Sequence, residues 1–564
     1  MLRTVAVVVV VVFVGSASAF ADVPQLLNYQ GKLTNAAGVP IEGAVAVGFS
    51  FYDAQADGNL LYSEQQTVTA AKGIFHVLIG NGANPQGQFA AICTGNSVWL
   101  ELTVAGQAMA PRQRIGSVVF ALKAGAVADH EERIAALEAL LANLSRQGDT
   151  LLLSGMNLQI VNGTGATDGA VDGTGNLVVG YNELRGDGDD RTGSHNIVVG
   201  REHNFSSYGG FVAGSRNTLS NGYCSVSGGL SNTASGESAS VSGGSGNTAI
   251  GTYASVSGGA ANAASGLYAT VSGGQSNRAS GVAASVSGGA ASAASGWYAS
   301  VSGGQGNTAS GLNATVSGGA ANAASGLYAA VSGGQENTAS GGFASVSGGL
   351  YNVADSALAS VSGGEGNRAS AQSSSVSGGQ WNTTSGYGAS VSGGFRNTAT
   401  GDFASVSGGQ WNTASGRFSS VAGGGGPNTE DGNGAIADYS AILGGVQNLA
   451  GDINKTDHSI GQQATVSGGC RNWAVSTGAA VSGGYQNTAS GWTASVSGGW
   501  DNTASGYGAC ISGGDANVAS GYFGSVSGGL RCEAGGNFTS VSGGIDRQAV
   551  DQGHWRAGTA WASE

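Results

Sequence analysis

From Val226 to Val421 a valine recurs at every fifteenth residue, fourteen times without a slip. The units around it are nearly identical: "CSVSGGLSNTASGES", "ASVSGGSGNTAIGTY", "ASVSGGAANAASGLY". A short fixed period of this kind cannot close a core by itself and must stack on its neighbours. Fifteen residues punctuated by glycines leave no room for a helix. "ASVS" and "NTAS" read as two short strands, each followed by glycine where the backbone must turn or approach a neighbour closely. Each unit is therefore one coil of a parallel β-solenoid. About 4.8 Å per coil gives a rod on the order of 100 Å long.

Alternation along each strand turns Val, Ala, Asn and Gly inward and Ser and Thr outward. The apolar interior is thin. One valine contributes only about 2–3 kcal/mol of transfer energy per coil, against some 15–30 kcal/mol of backbone ordering. Inter-coil hydrogen bonds and stacked asparagines such as Asn232, Asn247 and Asn262 must help, and packing against partner chains is expected to add burial.

The period lengthens after Val421, with two irregular turns carrying Ile442 and Val466. It then resumes at Val481, Val496, Ile511, Val526 and Val541. Residues 425–465 are expected to protrude without ending the roll. "LVVGYN", "IVVGRE" and "FVAGSR" are looser units that read as a starter cap. The roll is assigned to 177–545, after a Gly/Asp-rich connection at 148–176 and before a cap or tail at 546–564.

The N-terminal part is of other kinds. Residues 1–21 carry Arg3, an apolar run from Val5 to Val14 and small residues before Ala19 and Ala21, the pattern of a secretory signal peptide. The run is too short to span a bilayer, and no later stretch is long and apolar enough to do so. Residues 22–124 alternate with a period of two, as in "GAVAVGFSFYDAQADGNLLYSEQQTVTAAKGIFHVLIG", which predicts a small antiparallel β-sandwich. "LLNYQGKLTNAAGVPIEGAV" resembles an N-terminal module of secreted bacterial repeat proteins.

Residues 125–147 predict a short coiled coil. Ile134, Leu137, Leu141 and Leu144 fall on its a and d positions, with Arg133 at g and Glu138 at e. "RIAALE" matches the signature of parallel three-stranded coils, in which the Arg stem covers the seam and the guanidinium grips a Glu of the next chain. A homotrimer is the partner reading.

The unit "SVSGGxxNTASGxYA" resembles the "SVAIGxxSxAxGxxA" unit of YadA-like heads in trimeric autotransporter adhesins. The resemblance implies a left-handed parallel β-roll, three chains side by side and adhesion to host or matrix surfaces. Two departures stand out: Gly replaces the family's Ile, and "GHWRAGTAWASE" at the end of the sequence lacks the strands of a membrane-anchor barrel.

A net charge of −13 disfavours nucleic acid as partner. Five cysteines at irregular spacings indicate no disulfide framework. Neither a catalytic constellation nor a cofactor motif is expected, so the chain is not read as an enzyme. Asp187, Asp189 and Asp190 in "GDGDDRTG" read as a solvated loop rather than a Ca²⁺ site. Exposed aromatics at the coil tips, Tyr351, Trp381, Phe395, Trp411 and Trp500, are candidates for contact with a surface protein or glycan. Their blander role is to cover the edge of the roll or pack on a neighbouring chain. Aromatics at the second turn, such as Tyr253, Tyr268, Tyr298, Tyr328 and Phe403, read as structural. The functional expectation is a secreted or cell-surface adhesion protein. An ice-binding solenoid using Ser/Thr arrays is the alternative, weakened where Arg278, Arg368 and Val353 interrupt the "NTAS" face.

Overall fold

A computed structural model describes residues 26–93, 97–116, 131–452, 454 and 457–557. The expected signal peptide lies outside them. The chain forms two compact units, Met1–Leu158 and Gln159–Glu564.

In the first unit, β1 (Leu27–Lys32) pairs antiparallel with β4 (Ile74–Ile79). A second antiparallel sheet joins β2 (Gly43–Tyr52), β3 (Leu60–Ala70), β5 (Ala83–Gly87), β6 (Val98–Val104), β7 (Gln107–Ala108) and β8 (Gln113–Ile115). Alternate residues of the two sheets share one core: Val47, Phe49 and Phe51 of β2 with Phe75, Val77 and Ile79 of β4. Within that core the carboxylate of buried Glu64 accepts from Tyr62 Oη at 2.6 Å and from the Gly80 and Gly82 amides at 2.9 Å. Burial, then this carboxylate, pushes the Tyr62 phenol upward.

Residues 131–141 are helical. They are followed by a hairpin of β9 (Leu144–Gln147) and β10 (Thr150–Leu153). Leu144 therefore sits on a strand and not on the helix with Ile134, Leu137 and Leu141, and the expected helix positions 125–130 lie outside the described residues. The helix ends in a turn at Ala142 and Asn143, and Leu144 pairs with Leu153 across the hairpin that turns at Gly148.

The second unit is a β-solenoid. One 25-stranded parallel sheet runs from Leu177–Val179 to Trp555–Arg556, and a 23-stranded one from Asn204–Phe205 to Gln548–Ala549. The starter units enter the first sheet at Leu177–Val179, Ile197–Arg201 and Phe211–Ser215. Regular strands pair fifteen residues apart: Val226 with Val241, and Ala234 with Ala249. A third ladder of bridges follows "GG" on either side of the Gly424–Asn433 segment, as in Leu230, Ser245 and Ala260.

The interior of a coil is Ala239, Val241, Asn247 and Ala249, all fully buried. The alanine preceding each "SVS" thus joins the core as well, on the same side of the strand as the valine two residues later. In this coil Ser240, Ser242, Ser245, Thr248 and Ile250 donate their amides to the next coil at 2.8–3.0 Å. Gly246 and Tyr253 donate backwards instead, to Leu230 and Glu237, both at 2.9 Å. Both are at positive φ, +66° and +57°, as is Gly244 at +87°. The left-handed conformation turns the peptide over, so a hydrogen bond to the preceding coil offsets strain of about 1–3 kcal/mol. Two left-handed columns run the length of the rod for this reason.

Asparagine holds the first turn. Asn247 Nδ2 donates to Gly243 O and Gly259 O, both at 2.9 Å, and its Oδ1 accepts from the Asn262 amide at 3.0 Å. The expected amide stack is thus chiefly a side-chain-to-backbone ladder. Serine breaks it at Ser292, whose hydroxyl reaches only Ala290 O at 3.4 Å. At the start of the ladder His203 takes the same place: Nε2 lies 3.0 Å from Val199 O, and the Asn217 amide donates to Nδ1 at 3.2 Å.

Close approach fixes the second glycine of each pair. A Cβ on Gly319, at φ +85°, would lie 2.0 Å from Gly334 O, whereas one on Gly318 meets nothing within 4 Å.

Three outcomes follow from this architecture. Gly319→Ala should destabilise the local coils by at least about 3 kcal/mol, while Gly318→Ala stays within about 0.5 kcal/mol of the parent. Ser292→Asn should stabilise by about 1–2 kcal/mol by restoring the ladder. Denaturant titration of the three variants reads both effects.

Burial holds the His203 imidazole below the usual histidine range, outweighing its backbone partners. The unfolded chain therefore binds the proton first. Local stability should be full above about pH 6.5 and fall as the pH drops below it. Protection of the Asn217 amide, taken relative to its intrinsic exchange rate at each pH, should fall from about pH 7 to pH 5, and His203→Asn should remove that dependence.

Candidate functional site

The chain's largest departures from the fifteen-residue period lie between Val421 and Val466, and the first of them borders two clefts. From Val421 to Ile442 the paired residues stand twenty-one apart, and from Ile442 to Val466 twenty-four apart. The first extra segment enters at the first turn, between Gly424 and Asn433. The second enters at the other turn, between Ala450 and Ala464. Both sheets run through without a break, so the expected single irregular region is two insertions, one on each edge of the roll.

The first insertion is locally self-supporting. Thr429–Asp431 form one 3₁₀ turn. Asp431 Oδ2 accepts from Asn428 N at 3.1 Å and Nδ2 at 3.0 Å, and its Oδ1 accepts from Gln447 Nε2 at 3.1 Å. Trp411 Nε1 donates to Pro427 O at 3.3 Å, tying the insertion to the coil before it.

Trp411 belongs to one of two tip columns. Tyr351, Trp381, Arg396 and Trp411 occupy the left-handed position ahead of the asparagine, at φ +53° to +59°. Phe395 and Trp500 lie one residue earlier, in the bridging ladder. Trp381 and Trp411 are two coils, about 10 Å, apart. Trp381 lies back over Gly366, where a Cβ would come within 2.5 Å of its ring. Arg396 lies on the coil between the two tryptophans and packs on the Trp411 side. Its guanidinium stands 4.6 Å from the Trp411 ring centre and 5.2 Å from that of Phe395. Phe395 meets Trp411 edge-on, with centres 6.0 Å apart.

Between this column and the insertion lies a cleft of about 710 Å³, lined by Trp381, Arg396, Thr398, Trp411, Thr413 and Thr429 among others. A smaller cleft of about 240 Å³, bordered by Glu430, Gln447, Arg471 and Trp473, flanks the insertion's other side.

Of the five tip aromatics singled out from sequence, the structure brings Trp381, Phe395 and Trp411 together. Tyr351 stands two coils before Trp381. Trp500 is several coils beyond the insertion, edge-on to Tyr485 with its indole N–H 3.4 Å from Gln486 Oε1. Arg396 and Thr429 escaped the sequence reading, although the paired large residues of "FRNTA" and the break in period were both visible.

At the opposite turn the aromatics stack along the rod: Tyr253 on Tyr268 at 5.1 Å and 6°, and Phe403 on Phe418 at 5.0 Å and 5°. The candidate acidic loop is engaged internally. Asp189 accepts from Arg185 N at 3.0 Å and pairs with Arg191 at 2.9 Å, and Asp190 accepts from Thr192 Oγ1 at 2.8 Å. Among the described residues no cluster of His, Cys, Asp or Glu is arranged to hold a metal. Cys532 stands in for an asparagine of the ladder, with Sγ 3.3 Å from Gly544 O.

Residues 28–112, the two-sheet part of the first unit, match the family model of a domain of unknown function, DUF8740. No curated protein matches the sequence.

Deleting 426–431 restores the ordinary spacing between Gly424 and Asn433. Since both ladders already pass the insertion, the variant should melt within about 2–4 °C of the parent. A loss of the cooperative transition would show that the insertion holds the roll together.

Proposed function

We propose that this chain is a secreted or cell-surface attachment protein that works as a parallel homotrimer. In this reading the second unit is a left-handed β-roll of fifteen-residue coils like the YadA-like heads. Residues 131–141 start a short coiled coil, with Ile134, Leu137 and Leu141 in its seam and Arg133 and Glu138 pairing between chains. The observation that carries the reading is the roll itself: two unbroken parallel ladders that hold exposed aromatic side chains in fixed columns along a rigid edge. A rigid aromatic surface is suited to protein or glycan contact, because little side-chain entropy is lost on binding. Supporting the assembly, Ile134, Leu137 and Leu141 are 53%, 57% and 48% exposed in the single chain, a stripe that partner helices would cover.

A second reading rests on the "SVS" face, where Ser240, Ser255, Thr270, Ser285 and Ser300 repeat along one sheet. Such a hydroxyl array can order water, so an ice-binding solenoid is the alternative. The opposite face is less regular, since Arg368 pairs there with Asp355 of the preceding coil and Trp473 and Glu533 take threonine's place.

Light scattering on the protein without residues 1–21 should give three times the chain mass. Arg133→Ala should shift that state more than it lowers stability, because an exposed ion pair contributes only about 0–1 kcal/mol. A folded monomer at micromolar concentration would overturn the trimer. In a screen against matrix proteins and glycan arrays the trimer should bind at least one class. Thermal hysteresis without any such binding would favour the ice-binding alternative.

A further inference from the structure

The cleft at the first insertion differs chemically from the rest of the rod. Elsewhere the first-turn tip is mostly small or neutral: Ser231, Ala261, Ser276, Ala291 and Ala321 fill the column that Trp381, Arg396 and Trp411 occupy here. Three large side chains in consecutive coils here share a cleft with Thr429 and Gly432 of the segment that widens that turn.

Its components are complementary to a charged sugar. Trp381 is 47% exposed and, with Trp411, borders the cleft. An indole face packs against the C–H side of a pyranose ring and orients it. The two tryptophans stand two coils, about 10 Å of backbone, apart, so sugar rings along an extended chain can reach both. Thr398, Thr413 and Ser415 also line the cleft. Thr398 and Thr413 are directly paired across neighbouring strands, so their outward side chains repeat at the strand spacing of about 4.8 Å. Thr429 adds a hydroxyl from the insertion.

The cation decides the class of sugar. Arg396 forms no ion pair among the described residues, and its contacts are with the Trp411 and Phe395 rings. Of the insertion's carboxylates, Asp431 is occupied by Asn428 and Gln447, while Glu430 borders the smaller cleft on the other side. A guanidinium stacked on an indole keeps its edge donors available for a planar, bidentate acceptor.

We propose that the cleft between Trp381, Arg396, Trp411 and the insertion around Thr429 binds an oligosaccharide bearing a carboxylate, with Arg396 holding the carboxylate and the two indoles holding sugar rings. This deepens the attachment reading by naming the ligand of one place on the rod, and in its biological sense rests on it.

Isothermal titration of the full chain uses three probes: hexagalacturonate, with internal carboxylates; sialyllactose, with a terminal one; and the carboxyl-reduced, neutral hexamer. One of the two acidic probes should bind, and which one binds separates an extended polyuronate from a capped glycan. The neutral hexamer should bind at least tenfold more weakly. Arg396→Ala should reduce affinity roughly tenfold or more, Arg396→Lys should recover only part of it, and Trp411→Ala and deletion of 426–431 should each abolish it. Circular dichroism and melting of every variant are compared with the parent, and a variant that does not fold is replaced in the comparison by Arg396→Gln, which keeps the stem of the side chain. Equal binding of neutral and acidic hexamers, or unchanged affinity in folded Arg396→Ala, overturns the carboxylate assignment. Binding of none of the three overturns the site. Matrix and cell attachment is measured in parallel. Attachment that persists in folded Arg396→Ala without sugar binding sinks this inference and leaves the attachment reading standing. Sugar binding without attachment does the reverse.

Discussion

Everything in the roll depends on how closely one coil lies against the next. The glycines at the second position of "GG" approach so near that a Cβ on Gly319 would sit 2.0 Å from the Gly334 carbonyl. The "ASG" glycine does the same on the other side, with Gly311 similarly placed against Gly326 O. Between these two contacts there is space for Ala, Val and Asn and little more. The small core follows from the approach, and the approach in turn makes the inter-coil hydrogen bonds short and regular. Asparagine suits this setting because three of its hydrogen-bonding positions meet backbone groups of the turn: two glycine carbonyls and the amide of the next asparagine. Removing any one of glycine, alanine or asparagine alters the distance that the others require.

The first unit is assembled on other terms. There Phe49, Phe51 and Phe75 fill the space between sheets, and burial of large side chains supplies the driving force. A buried carboxylate, Glu64, gathers the tyrosine hydroxyl and two turn amides. One chain thus joins a region stabilised mainly by apolar area to one stabilised mainly by repeated polar geometry. The two should respond differently to temperature and denaturant, since apolar burial dominates the heat capacity of unfolding.

Much of the solenoid was legible because a fixed period leaves few alternatives. The valine spacing, the alternation of "ASVS" and the placement of asparagine on the inner face all pointed to stacked coils, and the paired strands follow that spacing. The two left-handed columns were not legible. Their positions are filled by Ser, Ala, Tyr, Trp, Arg and Glu, with no uniform glycine to mark them, because the backward hydrogen bond supplies what a residue preference would have signalled. The fate of Leu144 was also hidden: a heptad count sees the spacing but not the competing turn at Gly148. At the candidate site the aromatics were visible one by one. Arg396 became meaningful only when the fold set it against the Trp411 and Phe395 rings, and the opposing wall required knowing which turn each insertion widens.

The aromatic stacks and ladders share one direction, and that direction has a mechanical meaning. Coil-to-coil hydrogen bonds run parallel to the rod axis, since each joins a strand to the one stacked on it. Tension applied between the rod's ends therefore loads the coils in series. Bonds at the terminal coil would open first, and every coil peeled away would release fifteen residues, roughly 50 Å of extended chain. Such a rod yields by lengthening in steps, each limited by the few bonds of one coil, instead of failing all at once. For a molecule tethering two surfaces in flow, this would convert a sudden pull into gradual extension, and the glycine-rich coils that leave so little apolar core to lose would also re-stack one at a time when the load is removed.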